Sequence, residues 1–408
     1  MKKKKAFDLD AVKMRNLDQN LGIPICLLLC IAHKIKSVFS ANRRVGKEKI
    51  RKILVMKYLG MGSIILATPM IRSLRETFPK AKITFLTFSN NKQVIELIGP
   101  IDSVMSLRTD SLFIFAADLL RVLLRLRKEK YDIAIDMEFF SKFSIVVTYL
   151  CGAPIRVGYF LRELWREILL TNHVYYNHYK HVTEIFVALA QSVGAQTTDF
   201  SLPRLEAKDR DREYVKRLLS NNGINDKNRL VVLNVNAGEI SVHLRRWPKQ
   251  NFARLAEKLI EKYNVYVVFI GKKEEREYTG SVIDLLHSRY NVVDLAGRLS
   301  LFRLIALLEL SSLLITNDSG PLHLAVAMGI PTVSFFGTET PVLFGPRGEQ
   351  HTVFYKNLYC SPCLNVYNLK KSNCKYDNRC MKLITAEKVF RAIEGKYLKE
   401  NGDAESES

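Results

Sequence analysis

The stretch ITNDSGPLHLAVAMGIPTVSFFGT, residues 315–338, reads as a strand, a tight turn, a helix and a second strand in direct succession. The first strand ends at Thr316. Asp318 or Ser319 can cap the helix, Pro321 suits its first turn, and Gly329 ends it. The early N–H groups of such a helix have no helical partners, so together with the dipole they can hold an anion. His323 falls on the first turn, where its ring could donate to the same phosphate. The plain alternative is a well-capped helix with a structural histidine.

The same alternation extends on both sides. LVVLNVN (230–236), VYVVFIG (265–271), NVVDLAG (291–297), SLLITND (312–318) and PTVSFFG (331–337) read as strands, with helical stretches between them. An earlier series has strands near 53–56, 82–87, 103–107 and 131–137, separated by helices at 63–78, 91–98, 112–130 and 143–150. Strands alternating with helices imply mostly parallel, twisted sheets covered on both faces. The expected fold is therefore α/β with two similar halves facing a cleft. Ligands in such sheets bind beyond the carboxyl ends of the strands.

Expected boundaries are a basic extension over 1–50, a first domain over 51–205, a charged linker over 206–228, a second domain over 229–398, and an acidic, disordered tail over 399–408. The 408 residues are 48% hydrophobic and 25% charged, which suits two globular domains. The net charge is +21, and residues 1–52 carry 14 lysines and arginines against 4 acids. A basic segment around the short apolar run LGIPICLLLCIA (21–32) suits the anionic face of a bilayer; the alternative is a solvated leader. No uncharged apolar run reaches the length of a membrane span, and no cleavage site follows the short one, so no secretion is expected. No nucleic-acid-binding pattern accompanies the positive charge.

A second loop, GMGSIILATP (60–69), follows the strand at 53–56. It raises the reading of an NAD-dependent dehydrogenase, but the third glycine of that fingerprint would fall at Ile65.

The string NDSGPLHLAVAMGIPTVSFFG (317–337) resembles the donor-binding signature of glycosyltransferase family 9, the ADP-heptose:lipopolysaccharide heptosyltransferases. ILVMKYLGMGSIILATPMIRSLRETFP (53–79), YDIAID (131–136), RVGY (156–159), HVTEIFVALAQSVG (181–194), NVNAG (234–238), RRWPKQNFARLAEKL (245–259) and NVVDLAGRLSLFRLIALL (291–308) resemble family segments in the same order. The resemblance covers about residues 50–395 and implies a GT-B fold: two Rossmann-like domains, with acceptor on the first and sugar nucleotide on the second.

The implied chemistry is inverting transfer of a sugar, heptose by resemblance, from a nucleoside-diphosphate sugar to a lipopolysaccharide-core or related lipid-linked acceptor. Negative charge grows on the departing diphosphate, so fixed donors aimed there matter most. Asp318, Ser319, Gly320 and His323 match the family's donor loop. Arg245 and Arg246 stand where the family often has a lysine beside an arginine, and arginine can grip phosphate oxygens in bidentate fashion. The resemblance implies no catalytic metal. It also implies a cytoplasmic enzyme on the inner face of the membrane.

Gly60 and Gly62 match the family's first loop, but Ser63 stands where its aspartate general base is expected. A serine hydroxyl has little basicity near neutral pH. Three readings stay open: another base, a substrate-binding Ser63, or a silent sugar-nucleotide binder. Glu138 is the first candidate for the base, because it lies at the carboxyl end of its strand; Asp136, on the same face, is the second. The bland alternative pairs Glu138 with Lys142.

Cys360, Cys363, Cys374 and Cys380 have a spacing that could hold a structural zinc, with disulfides or free thiols as alternatives. His178 and His181 lack a visible third ligand, so helix-start packing or an acceptor-side role for His181 is the simpler expectation.

Overall fold

The structure, a computed structural model, describes residues 11–38, 47–161, 167–238 and 240–398. Residues 1–10 and 39–46 of the basic extension and the acidic tail over 399–408 lie outside the described residues. The chain divides into two compact units, Met1–Leu202 and Pro203–Ser408.

In the first unit, β1 (Lys52–Met56), β2 (Lys82–Phe88), β3 (Ser103–Leu107), β4 (Ile133–Asp136), β5 (Ile155–Tyr159) and β6 (Asn172–Val174) form one sheet in the order β3-β2-β1-β4-β5-β6. In the second, β7 (Leu230–Asn234), β8 (Tyr266–Ile270), β9 (Val292–Asp294), β10 (Leu313–Asn317), β11 (Thr332–Phe336) and β12 (His351–Tyr355) are ordered β12-β11-β10-β7-β8-β9. Every pairing is parallel. The two-sided burial of parallel strands explains the unbroken apolar runs of β1, β7 and β10. Each sheet reverses its strand order once, between β1 and β4 and between β7 and β10. Loops leaving those strands diverge at the carboxyl edge and open a place for a ligand.

Several expected elements change in detail. The helix expected over 63–78 is two helices, Met61–Ile65 and Thr68–Thr77. Pro69 has no N–H to continue the first and sits in the opening turn of the second. The stretch 206–228, expected as a linker, belongs to the second unit. Its helix Asp209–Ser220 packs on the helix Leu301–Glu309, with Arg212 Nε donating to Glu309 at 2.7 Å.

The N-terminal segment forms the helix Ala11–Val38. By length and composition, Asp18–Ser37 could cross a membrane. One side of it is committed to the first unit. Asp18 accepts from Lys142 N (3.1 Å), Phe143 N (2.6 Å) and Ser141 Oγ (3.1 Å), so it caps the helix Lys142–Leu150 from outside. Gly22 lies where a Cβ would stand 2.4 Å from Lys142 Cβ. Cys26 and Cys30 are buried with Ile145, Leu169 and Leu170.

Asp18 also meets the positive end of that helix dipole. An Asp18→Ala protein should unfold in urea with stability lower by about 1–2 kcal/mol, the usual range for a lost cap. An unchanged midpoint and slope would show that the contact carries no stability.

Candidate functional site

The second unit's site begins with an indole. Trp247 is fully buried, stacked on Phe335 at 4.2 Å and edge-on to Phe252. Its Nε1 donates to Ile384 O at 2.7 Å, and its backbone N donates to Asn317 Oδ1 at 2.8 Å. Asn317 ends β10 and in turn donates through Nδ2 to Val235 O and Asn236 O. The residues just before Trp247 are thereby fixed at the carboxyl edge of the sheet, beside the β7 and β10 loops.

Those residues are the two arginines. Arg245 Nη2 donates to the Asp318 carboxylate and to Asp318 O. Burial works against its charge, but Asp318 and then Glu339 outweigh that, and its pKa is raised. The guanidinium sits directly against Gly238, where a Cβ would stand 2.2 Å from Arg245 Nη1. Arg246 Nη2 donates to Asn236 Oδ1 at 2.9 Å, and its guanidinium lies 3.5 Å from the centre of the Tyr278 ring. The Nε atoms of both arginines are buried with no hydrogen-bond partner among the described residues. Glu339 is also buried; its Oε1 accepts from Lys370 Nζ at 2.6 Å, while its Oε2 has no partner.

The helix Gly320–Ala327 starts directly after Asp318 and Ser319. Pro321 occupies its first turn, but Ser319 does not cap it through its side chain, contrary to the sequence expectation. Its hydroxyl is held by Asn234 Nδ2 (2.9 Å) and Thr316 Oγ1 (2.8 Å) instead. The first turn thus lacks the side-chain acceptor that usually satisfies it. His323 is buried, and burial lowers its pKa to about 4, with Asp318 pulling the other way. The ring is neutral at pH 7.

In the first unit, Gly60 has φ +86°, a conformation that favours glycine, and Ser63 is half-buried in the following short helix. Glu138 does converge on this loop, though as an anchor. Its Oε1 accepts from Lys57 Nζ (2.9 Å), Tyr58 N (2.8 Å) and Leu59 N (3.0 Å). Its ion pair is with Lys57, whereas Lys142 donates to Gln19 Oε1. Asp136 is fully buried; Oδ1 accepts from Glu138 N and Oδ2 from Ser144 Oγ. With both oxygens engaged, Asp136 supports Glu138 and the helix that follows it.

The zinc expectation is not met. Among the described residues, no group of three or more His, Cys, Asp or Glu is arranged to hold a metal ion. Cys380 is buried in the second unit's core, and burial pushes its thiol up to about 11, so it is protonated at neutral pH. Burial likewise raises Cys363, while Cys374 Sγ accepts from Asn378 N at 3.3 Å. The cysteines are free. His181 starts the helix Val182–Gln191, its Nδ1 accepting from Thr183 N.

Reading the sequence missed Asn234, Asn236, Asn317, Tyr278, Glu339 and Lys370. The asparagines had a signal: polar residues at the ends of the apolar strands LVVLNVN and SLLITND.

Two Rossmann-like units, each reversing its strand order once, with a half-buried cationic pair beside an uncapped helix turn in the second, define an α/β fold with ligand edges at the switch points. Residues 119–373 match the sequence profile of glycosyltransferase family 9 (heptosyltransferase), and the chain belongs to that family. It is 24% identical over 352 residues to a Campylobacter jejuni lipooligosaccharide heptosyltransferase 2, a match spanning 83% of this chain and 96% of the relative. It is 23% identical to the lipopolysaccharide heptosyltransferase 2 of Escherichia coli, spanning 74% and 87%. Among solved structures, a glycosyl transferase family 9 protein from Veillonella parvula superposes with TM-score 0.68 at 24% identity, covering 84% of this chain and 96% of the other. The E. coli ADP-heptose lps heptosyltransferase II gives 0.67 at 20%, covering 84% and 97%. The fold is of the GT-B type, and the protein is a glycosyltransferase.

Two outcomes follow from this geometry. Glu138→Ala leaves the Lys57 ammonium buried without its carboxylate, held only by Leu59 O, so urea unfolding should show a loss of about 3–5 kcal/mol. A loss below about 1 kcal/mol would mean that Lys57 finds other partners. Burial lowers His323 from the ordinary histidine value near 6.5 to about 4. Its contribution to stability is complete above pH 6.5 and is lost as pH falls toward 4, a total of about 3 kcal/mol at about 1.4 kcal/mol per pH unit for one proton. His323→Gln should therefore flatten the stability profile over that window; an unchanged slope would contradict a neutral, buried ring.

Proposed function

We propose that the protein transfers a sugar, with inversion, from a nucleoside-diphosphate sugar to a lipid-linked saccharide, and that the second unit holds the donor while the first holds the acceptor. Support for the donor side comes chiefly from one observation: two half-buried guanidiniums, Arg245 and Arg246, flank a helix turn with no side-chain cap. The diphosphate lies against the N–H groups of Gly320 and its neighbours, with Arg246 and Arg245 neutralising the charge that grows as the glycosidic bond to phosphate breaks. Asp318 and Ser319 orient this loop. Neutral His323 contributes a hydrogen bond, not charge.

Relatives named for ADP-heptose and for lipopolysaccharide or lipooligosaccharide make ADP-heptose the first donor to test and a lipopolysaccharide-type core the first acceptor. In the first unit, Gly60 and Gly62 shape the acceptor loop and Glu138 positions it through Tyr58 and Leu59. Ser63 binds a substrate hydroxyl. The basic N-terminal segment keeps the enzyme at the inner face of the cytoplasmic membrane, close to a lipid-borne acceptor.

The test is a thermal-shift screen of the full chain against ADP-, GDP- and UDP-sugars and NAD, followed by acceptor-dependent release of the nucleoside diphosphate. Arg246→Ala should lower kcat/KM by roughly a hundredfold or more, the usual loss for one transition-state donor, with Arg246→Lys recovering part of it. Binding without release with any acceptor would identify a silent binder. Preferential binding of NAD would overturn the transferase reading of the site.

A further inference from the structure

Most exposed leucines on a globular protein stand singly and need no explanation. The first unit departs from this on two helices that are far apart in sequence. On the helix Leu112–Glu129, Phe113 is 89% exposed, Leu120 61% and Leu124 64%. With exposed Ala117 they recur at i, i+4, i+7 and i+11, one stripe about 16 Å long. The stripe lies opposite the side that buries Val122 and Leu126. On the N-terminal helix, Leu21, Leu28, Ile31 and Ile35 are exposed on the side away from buried Cys26 and Cys30.

Both helices pack beside the same third helix, Lys142–Leu150. The N-terminal helix is held along it by Asp18 at one end and by the edge-on contact of His33 with Tyr149 at the other. Between the two stripes the middle helix shows half-buried Phe143, Val146 and Tyr149. The three helices are thus neighbours, and each presents apolar side chains to solvent.

Charge distinguishes these helices from a bare hydrophobic face. Arg121, Arg125, Arg127 and Lys128 are exposed on the first helix, and Lys34 and Lys36 on the N-terminal one. The acids there are taken up internally: Asp118 by Arg108 and Arg121, Glu129 by Lys52, and Asp18 by the Lys142 helix. An apolar strip bordered by exposed cations, on helices whose described acids Asp18, Asp118 and Glu129 are all engaged, matches the interface of an anionic bilayer, where acyl chains take the leucines and lipid phosphates take the lysines and arginines.

We infer that the helices Ala11–Val38 and Leu112–Glu129 form a single face of the first unit that docks on the surface of an anionic phospholipid bilayer, with the N-terminal helix lying along the membrane plane. Phe113 opens its helix just beyond the carboxyl end of β3, the edge that also carries the Gly60–Ser63 loop. The docked face therefore extends to the edge where the proposed acceptor loop lies. This deepens the membrane assignment made above and rests on it only for its biological purpose; the binding itself is measured without substrate.

The experiment is flotation of the full-length protein with phosphatidylcholine vesicles, with and without phosphatidylglycerol. The wild type should float with the anionic vesicles, and binding should weaken as salt rises. Leu120→Glu with Leu124→Glu should reduce binding roughly a hundredfold, with far-UV circular dichroism and sugar-nucleotide binding unchanged. Arg125→Glu with Lys128→Glu should reduce binding to anionic vesicles but leave the weak binding to neutral ones. The inference is overturned if the leucine variant floats like the wild type. It is also overturned if the wild type ignores anionic vesicles and sedimentation shows a dimer that the leucine variant breaks, since the face would then meet a second copy. Vesicle binding that follows these expectations in a protein that binds no sugar nucleotide would sink the proposed function and leave the docking face standing.

Discussion

The burial of Trp247 is the constraint on which the proposed donor side depends. An indole closed in by Phe335 and Phe252, with its ring N–H and its backbone N–H both bonded, cannot move without opening the second unit's core. Because the arginines precede it directly in the chain, their position follows from that packing. The core thus sets the geometry of charge at the sheet edge. The cost is two guanidiniums partly withdrawn from water, offset in Arg245 by the Asp318 carboxylate and in Arg246 by Asn236 and the face of Tyr278. Unpartnered Nε atoms on both are consistent with a site awaiting an anion.

The first unit solves a related problem with opposite charge. There a buried carboxylate, Glu138, reaches across from β4 to hold the loop leaving β1, and Asp136 holds Glu138 in turn. Both units place their loops at the point where the strand order reverses, so the same topology supplies two ligand edges with different chemistry.

Much of this was legible in the chain. Unbroken apolar runs marked β1, β4, β7, β8, β10 and β11, and the order of family-like segments gave the two-domain fold. Short edge strands were harder: Asn172–Val174 and His351–Tyr355 have too few apolar residues to stand out by periodicity. The partner of Glu138 was missed for a geometric reason. Spacing of four residues brings side chains together only on a helix, and the helix here begins at Lys142 itself, so Glu138 lies in the loop before it. Lys57, distant in sequence and adjacent across the β1–β4 pairing, is the neighbour that parallel strands create. The cysteine spacing misled because intervals along a chain do not reveal which thiols turn inward; Cys380 does.

Glu138 secures the loop's backbone at Tyr58 and Leu59, several positions before its tip. Scaffold and tip are therefore separable parts. A residue at position 63 can be exchanged, serine for a stronger proton acceptor included, without disturbing what gives the loop its course. That modularity makes the tip a natural place to graft new reactivity onto an otherwise finished framework.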